Sequence, residues 1–447
     1  LVWGGSAAAD DAASLFELSE LSIDDLAKVD ITSVSKRAEP LSDAAAAIYV
    51  ISHDDIERSG ATTLGEMLRL APNLQVAQMS ARDYAITARG FNGNAADKLL
   101  VLIDGRSAYT PLYGGVLWDE KNIPADRIER IEVISGPGAT LWGANAVNGV
   151  INIITRDAQS SQGGTLEAGY GNRETRASLS YGGRLAEDLA YSVYGEGFSI
   201  RHDKTSTGAN AYDGYSLPQG GFRLDWTPDG DQVSLRGDLY RGSEEASATL
   251  DQQLSGGDVV VDWRHRLSDG SSLQLFAYYD ETRRFTNSYG GYSLDTWDAE
   301  IQHSFTPFDG HDVVWGGGYR VYHDQFENYG TVGFVPASSS EGLGDIFAQD
   351  TVGLTSSLKA TLGLKLEKDP YSGVEPLPNL RLSWKAEEDL LLWSAVSRAV
   401  RAPTLFDEDL QDRVIPGVVT ITGNPDFRSE KLTAYEIGGR AQPLSDL

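Results

Sequence analysis

The sequence predicts two units in tandem: a mixed α/β domain, then a long antiparallel β-barrel of the membrane-spanning kind. Three observations lead there. Helical and strand-like patterns alternate from about residue 36 to 158, and after Thr155-Arg156-Asp157 helical periodicity disappears. From 163 onward the chain is a succession of period-two segments, roughly fourteen of them, many about 10 residues long as a tilted membrane strand requires. The 447 residues include 48 Gly, 20 Tyr, 13 Phe and 9 Trp but only 2 Met, the balance of a turn-rich β protein. No run of about 18 apolar residues, the minimum for a membrane helix, occurs. A spanning barrel never shows such a run, because lipid-facing and lumen-facing residues alternate along each strand.

Composition excludes several functions. With no Cys there is no disulfide framework, thiolate zinc site or thiol catalysis. Lys plus Arg is 37 against 65 Asp plus Glu, a net charge of −28. Nucleic acid is therefore not a partner, since phosphate backbones need a basic face. The six His (53, 202, 265, 303, 311, 323) are scattered without metal-ligand spacing.

Taken in order, residues 1–9 (LVWGGSAAA) read as the remnant of a secretory signal, with Ala7 and Ala9 fitting an A-x-A cleavage site. Residues 10–35 form an N-terminal extension. Within it Leu15, Leu18, Ile23 and Leu26 sit on helical spacing over 14–29. The 36–158 unit starts with a strand at 47–52 and a helical turn at 53–58 ended by Gly60. Thr62 or Thr63 then caps a helix running to Leu70, stopped by Ala71-Pro72-Asn73. Strands are expected at 74–79, 85–89, 99–103, 128–134 and 150–154, a helical turn at 123–127, and a Gly-rich loop at 136–149.

In the second unit, 163–447, Val233, Leu235, Gly237 and Leu239 oppose Ser234, Arg236, Asp238 and Tyr240. The alternation recurs at 273–280, 297–305 and 358–367. Tight connections at 228–230 and 268–270 contrast with long ones near 200–217 and 402–428, as expected of short turns on one side of a membrane and loops on the other. A soluble β-sandwich also alternates, but does not call for strands this long with so polar a second face.

The words SVSKRAEPLSDAAAAIYVIS (33–52), SGATTLGEMLRLAPNLQV (59–76), ITARGF (86–91), LLVLIDGR (99–106) and RIERIEVISGPGATLWGANAVNGVINIITR (127–156) closely resemble the plug domain of TonB-dependent outer-membrane receptors. GNPDFRSEKLTAYEIGGR (423–440) resembles a mid-barrel strand of the same family. The resemblance implies a mixed α/β plug inside an antiparallel transmembrane barrel, 22-stranded in that family, of which about fourteen strands are present here and about eight would follow Leu447. It implies location in the bacterial outer membrane, among lipid and lipopolysaccharide, and energised import of a scarce bulky nutrient. The energy would come from the TonB–ExbB–ExbD complex.

Roles follow from the resemblance. Val29, Asp30, Ile31, Thr32, Ser33 and Val34 occupy the place of a TonB box, where strand addition gives main-chain hydrogen bonds with little demand on sequence; an ordinary linker strand fits the same residues. Ligand would meet the apical plug loops, through Arg82, Asp83 and Tyr84, through Asn92 and Asn94, and through Tyr109, Tyr113 and Trp118. Aromatic faces with a few polar groups suit an amphipathic metal chelate. The same aromatic residues also suit plain packing against the wall. Arg89 and Arg130 would latch the plug to the barrel through Glu436. Ser135 stands where the family pattern has Arg before Gly-Pro, so one latch contact is expected to be missing.

The loop at 136–143 lacks the Gly-Lys-Ser/Thr ending of a phosphate loop. No catalytic constellation appears, and no resident cofactor is expected; a metal chelate would be cargo. A ferric siderophore is the default cargo, with cobalamin, another chelate, haem or an oligosaccharide open. A passive porin or adhesin and a secreted hydrolase are the readings from other classes.

Overall fold

A computed structural model describes residues 30–37, 39–93, 96–286, 290–329, 332–387, 389–412 and 421–441. The signal remnant, the 14–29 helix, Val29 and Asn94 lie outside the described residues.

The first unit contains β1 (Asp30–Ile31), β2 (Glu39–Pro40), β3 (Ala47–Ser52), α1 (His53–Ser59), α2 (Leu64–Leu68), β4 (Gln75–Gln78), β5 (Tyr84–Thr87), β6 (Leu99–Ile103), β7 (Arg106–Ser107), β8 (Ile128–Ser135), α3 (Ala139–Trp142) and β9 (Gly149–Thr155). Its central sheet runs β3-β8-β9-β6-β7, antiparallel except for the β9–β6 pair. α1 begins with a reciprocal cap between Ser52 and Asp55 and ends at Gly60 in the left-handed conformation, φ +68°. α2 is capped by Thr63 and stops at Leu68 rather than Leu70, because the Arg69 N–H turns to the Glu66 carbonyl and tightens the last turn before Pro72. The expected 136–149 loop holds the one-turn helix α3. Ile51, Ile56, Met67, Leu68, Ile86 and Ile131 meet in a dry core under the sheet, so this unit has the hydrophobic centre a folded domain needs.

The second unit is one long antiparallel sheet. Its strands are β10 (Gly163–Tyr170), β11 (Glu174–Ala186), β12 (Leu189–Ile200), β13 (Tyr215–Ser216), β14 (Gln219–Trp226), β15 (Asp231–Ser247), β16 (Leu250–Ser268), β17 (Ser271–Thr286), β18 (Gly290–Phe305) and β19 (His311–Glu327). After the short β20 (Val332–Phe334) come β21 (Ser338–Gly353), β22 (Leu358–Asp369), β23 (Gly373–Glu387) and β24 (Leu390–Arg401). An excursion of α4 (Leu405–Asp409), β25 (Leu410–Asp412) and β26 (Ile421–Thr422) precedes β27 (Glu430–Ala441). β20, β25 and β26 pair into a separate three-stranded patch. The long sheet has 15 pieces, of which β13 and β14 are one strand interrupted at Leu217-Pro218; both lie between β12 and β15. Among the described residues β10 and β27 each pair on one side only. Strands reach 19 residues, longer than the ten or so that cross lipid, so their upper parts form a wall above the membrane.

The outer face explains the alternation. Leu239, Val259, Val261, Leu275, Ile301, Ile346, Leu362, Leu380 and Leu382 are exposed on it, while Trp226, Trp297, Trp315, Tyr319 and Trp384 are exposed nearer its rims. An apolar band flanked by aromatic side chains is what a lipid-facing wall requires. The inner face carries Asp238, Asp258, Asp280, Glu300, Lys365 and Glu367; Asp258, Asp280, Glu300 and Glu367 bond to the first unit, while Asp238 accepts from Tyr194 and Lys365 pairs with Asp345 within the wall.

Candidate functional site

Three regions of the first unit face the wall or its openings: the upper loops, a charged seat on the wall, and the segment 30–37 at the side of the tight turns.

The apical loops are held more tightly than their sequence suggests. Loop 80–84 is pinned to the wall: the Ala81 N–H donates to Asp213 at 2.8 Å, and Arg82 donates to the Glu245 carbonyl at 3.0 Å. Asp83 stays exposed and closes the turn by accepting from Ser80. Tyr84 turns the other way. It begins β5, its ring enters the plug core, and its hydroxyl meets Thr63 and Glu66. Burial raises its pKa to about 12, with the carboxylate of Glu66 adding to the rise. Tyr84 is thus a core residue rather than a ligand-facing one. Tyr109 is also buried, donating to the Asp97 carbonyl, and Trp118 packs onto the plug core. Tyr113 sits under a roof of barrel aromatics, with Tyr292, Phe334 and Phe406 ring centres 6.0, 6.3 and 6.2 Å away. The 405–409 helix docks there because the Leu405 and Phe406 N–H groups donate to Pro111 and Leu112 carbonyls. Asn92 is exposed beside Phe91, whose ring is 76% exposed. Of the expected ligand residues, Asp83 and Asn92 are exposed and Arg82 is half-buried, whereas Tyr113 lies beneath the aromatic roof.

The seat is built from charge. Asp238, Asp258 and Asp280 stand directly opposite one another across β15, β16 and β17. Three like charges in a row repel unless a cation joins them. Arg106 of the plug does so, 2.8 Å from Asp258 and hydrogen-bonded to Asp280, and only 5% exposed. Above it Arg284 reaches Asp119 at 2.6 Å and Glu120 at 2.8 Å. Burial pushes the Asp119 carboxyl up, but Arg284 beside it wins and holds it below the usual range. Below it Arg236 pairs with Asp104 at 3.3 Å. Burial opposes the Asp104 carboxylate, yet Arg236, Arg223 and the bonds from Thr155 leave its pKa depressed.

The Arg89–Glu436 latch is formed, at 2.5 Å. It fits because Gly136 lies beneath it: a Cβ there would come within 2.6 Å of Glu436 Oε1. Arg89 itself has φ +57°, a left-handed conformation that costs a non-glycine residue energy. Arg130 does not join the latch. It lies two residues from Glu132 on β8, so both side chains share one face, and its Nε donates to Glu132 at 2.8 Å. Ser135 instead accepts from Asn73 within the plug. A second clasp escaped the sequence reading. Arg440, inward-facing on β27, donates to the Leu41, Ala44 and Ala46 carbonyls.

The segment 30–37 is docked. Ile31 is fully buried with Ala44 and Val50, whereas Asp30 is exposed. Glu132, itself fully buried, accepts from the Thr32 and Ser33 N–H groups and the Ser33 hydroxyl. Trp142 Nε1 donates to the Ser33 carbonyl, and Val34 packs on the same cluster. Just beyond, Lys36 pairs with Glu300 and Arg37 with Asp312 of the wall. The segment thus bridges plug and barrel. Among the described residues no cluster of side chains suited to a metal ion is found.

Comparison with known proteins agrees with this architecture. Residues 40–150 match the TonB-dependent receptor plug domain, and 157–446 match the TonB-dependent receptor-like β-barrel. The chain is 31% identical over 430 residues to the vitamin B12 transporter BtuB of Vibrio vulnificus, covering 91% of this chain and 66% of that protein. It is 24% identical over 462 residues to the ferric enterobactin receptor of Pseudomonas aeruginosa, covering 84% and 61%. The chain therefore spans just under two thirds of the length of these curated relatives. Among solved structures, a point mutant of the P. aeruginosa ferric enterobactin receptor PfeA superposes with TM-score 0.75 at 20% identity, covering 93% of this chain and 71% of that one. The siderophore receptor PirA of Acinetobacter baumannii gives 0.72 at 19%, covering 90% and 69%. With a plug match and a barrel match in the expected order, the chain belongs to the TonB-dependent receptor family of the bacterial outer membrane.

Proposed function

We propose that this chain forms the plug and the adjoining wall of a receptor that captures a bulky chelate at the cell surface and imports it when the TonB–ExbB–ExbD complex pulls on the plug. The observation that carries this reading is the docked handle. Residues 31–34 are tied to the buried Glu132 on a central plug strand, so tension applied upstream is delivered to the middle of the plug sheet. With Ile31 and Ser33 buried, a partner strand gains the backbone of 29–34 only once this segment leaves its seat.

Arg82, Asp83 and Asn92 would face the ligand, together with the exposed Phe91 and Phe406, with Tyr113 behind Phe406. Cobalamin is the favoured cargo, because the relative with 31% identity is a vitamin B12 transporter. A ferric siderophore is the second reading, supported by the ferric enterobactin receptor at 24%. The test is uptake of labelled cyanocobalamin and of ferric enterobactin by cells whose own receptors for both are deleted. Saturable cobalamin uptake that disappears when residues 28–34 are removed, with binding retained, is the expected result. Uptake unaffected by that deletion would turn the reading to a passive pore, and uptake of ferric enterobactin alone would reassign the cargo.

A further inference from the structure

The plug is not sealed evenly against the wall. Along β14 to β18 there is a line of cavities in which charged and hydroxyl-bearing side chains stand among Tyr, Leu, Ile and Val. The uppermost holds about 30 Å³ between Ser107, Lys121, Asp280 and Thr296. The next, also about 30 Å³, lies between Asp104, Arg106, Tyr194 and Asp258. The third is a vestibule of about 870 Å³ bounded by Thr32, Lys36, Arg37, Arg236 and Gln274, at the side of the tight turns. Asp104, Thr155, Arg223 and Arg236 line both the second and the third, and the Arg106–Asp280 pair divides the first from the second. Spaces of this size with several charged or hydroxyl groups in their walls have room and partners for water.

The opposite flank is built otherwise. There Leu100, Ile134 and Val150 of the plug form one dry cluster with Leu377, Ala399 and Val400 of the wall. The Thr140 hydroxyl donates to the Leu377 carbonyl at 3.0 Å, and a Cβ on Gly363 would meet Thr140 Cγ2 at 2.9 Å. Opening that flank would expose apolar surface and break close packing, whereas on the cavity flank water has room to take over each separated charge.

We propose that cargo passes between plug and wall along the β14–β18 seam, with Arg106 as the bar across it and the opposite flank as the hinge that stays shut. A wet, hydrogen-bonding channel of this kind takes a polar, amide- or hydroxyl-rich chelate. The handle lies at its mouth: Thr32, Lys36 and Arg37 bound the vestibule, so withdrawing that segment widens the exit. This rests on the import reading above.

These 447 residues hold no Cys, so an introduced thiol is the one thiol in this part of the receptor, and the unsubstituted receptor gives the background. Single variants Ser107→Cys and Gln274→Cys mark the seam, and Thr140→Cys marks the hinge flank. In the whole receptor in cells given cyanocobalamin and ferric enterobactin together, the reagent is methanethiosulfonate-ethyltrimethylammonium added to the periplasm. Energised cells are compared with cells treated with a protonophore. Energisation should raise modification at the seam at least tenfold and leave Thr140→Cys unchanged. The paired variant T140C/G363C, oxidised to a disulfide, should keep uptake within twofold of its reduced form. Modification rising at Thr140→Cys but not at the seam, or uptake stopped by the disulfide and restored by reductant, overturns the seam. A parent receptor that imports neither cargo and shows equal rates in both conditions overturns the import reading, and the seam with it.

Discussion

The two flanks of the plug meet the same barrel through different chemistry. Against β14–β18 the contact is a ladder of charges, with Arg106 between Asp258 and Asp280, Asp104 on Arg236, and Arg284 on Asp119. Against β22–β24 close packing is added to charge: Leu377, Ala399 and Val400 lie on plug side chains and Gly143 is tucked against Glu367, beside the buried Arg401, which pairs with Asp97 at 2.8 Å. Charged contacts are costly to break one partner at a time yet reversible when water can enter, while packed contacts resist separation as a whole. A plug that must hold for long periods and then yield along one side is served by having both.

Four measurements test this contrast. Arg106→Ala should have the largest effect, because Asp258 and Asp280 are then left buried and facing each other; a loss of about 3–5 kcal/mol is expected. Calorimetry of the plug transition in detergent checks it, and a cost under about 1 kcal/mol would mean the charged flank holds little. Gly143→Val comes next. Its φ is +84° and a Cβ would overlap Glu367, so strain and overpacking of about 1–3 kcal/mol should unseat the shape-matched flank, seen as raised conductance in planar bilayers.

The third is acid. The folded pKa of Asp104 is depressed, so its contribution is fully present above the unfolded value and is lost as pH falls through the folded one. Plug stability should stay flat in this respect from pH 7 to about 5 and fall below about 4, and Asp104→Asn should blunt that fall. Arg89→Ala should matter least. Arg89 is 44% exposed in its pair with Glu436, so about 1 kcal/mol or less is expected from the same calorimetry. An effect equal to that of Arg106→Ala would place the main fastening at the latch instead.

Local rules made much of this legible. The Thr62-or-Thr63 cap, which falls on Thr63, the Gly60 stop and the apolar 99–103 strand are readable because each depends on neighbours in sequence. So were the period-two strands, whereas the division into short and long sides holds only in part, since β15 and β16 are joined by two residues on the side of the long loops. The latch residue Glu436 was legible through its motif. Tyr84 was misplaced because the turn at Ser80–Asp83 ends one residue before β5 begins, and a one-residue difference decides which face a side chain takes. Arg130 carried a signal that could have been used: Glu132 at the next same-face position is its partner. The aspartate row was hidden for another reason. Asp238, Asp258 and Asp280 align only once the register of three strands is set, and nothing near Arg106 in sequence announces them.

Arg440 grips the carbonyls of Leu41, Ala44 and Ala46 from nearly four hundred residues downstream. The stretch synthesised early is therefore fastened by one made much later. Docking cannot be completed on the growing chain, and closing so long a loop is slow. In the interval the early domain is a finished piece without a home, and whatever escorts the protein to its membrane must keep the two halves apart until both can be joined at once.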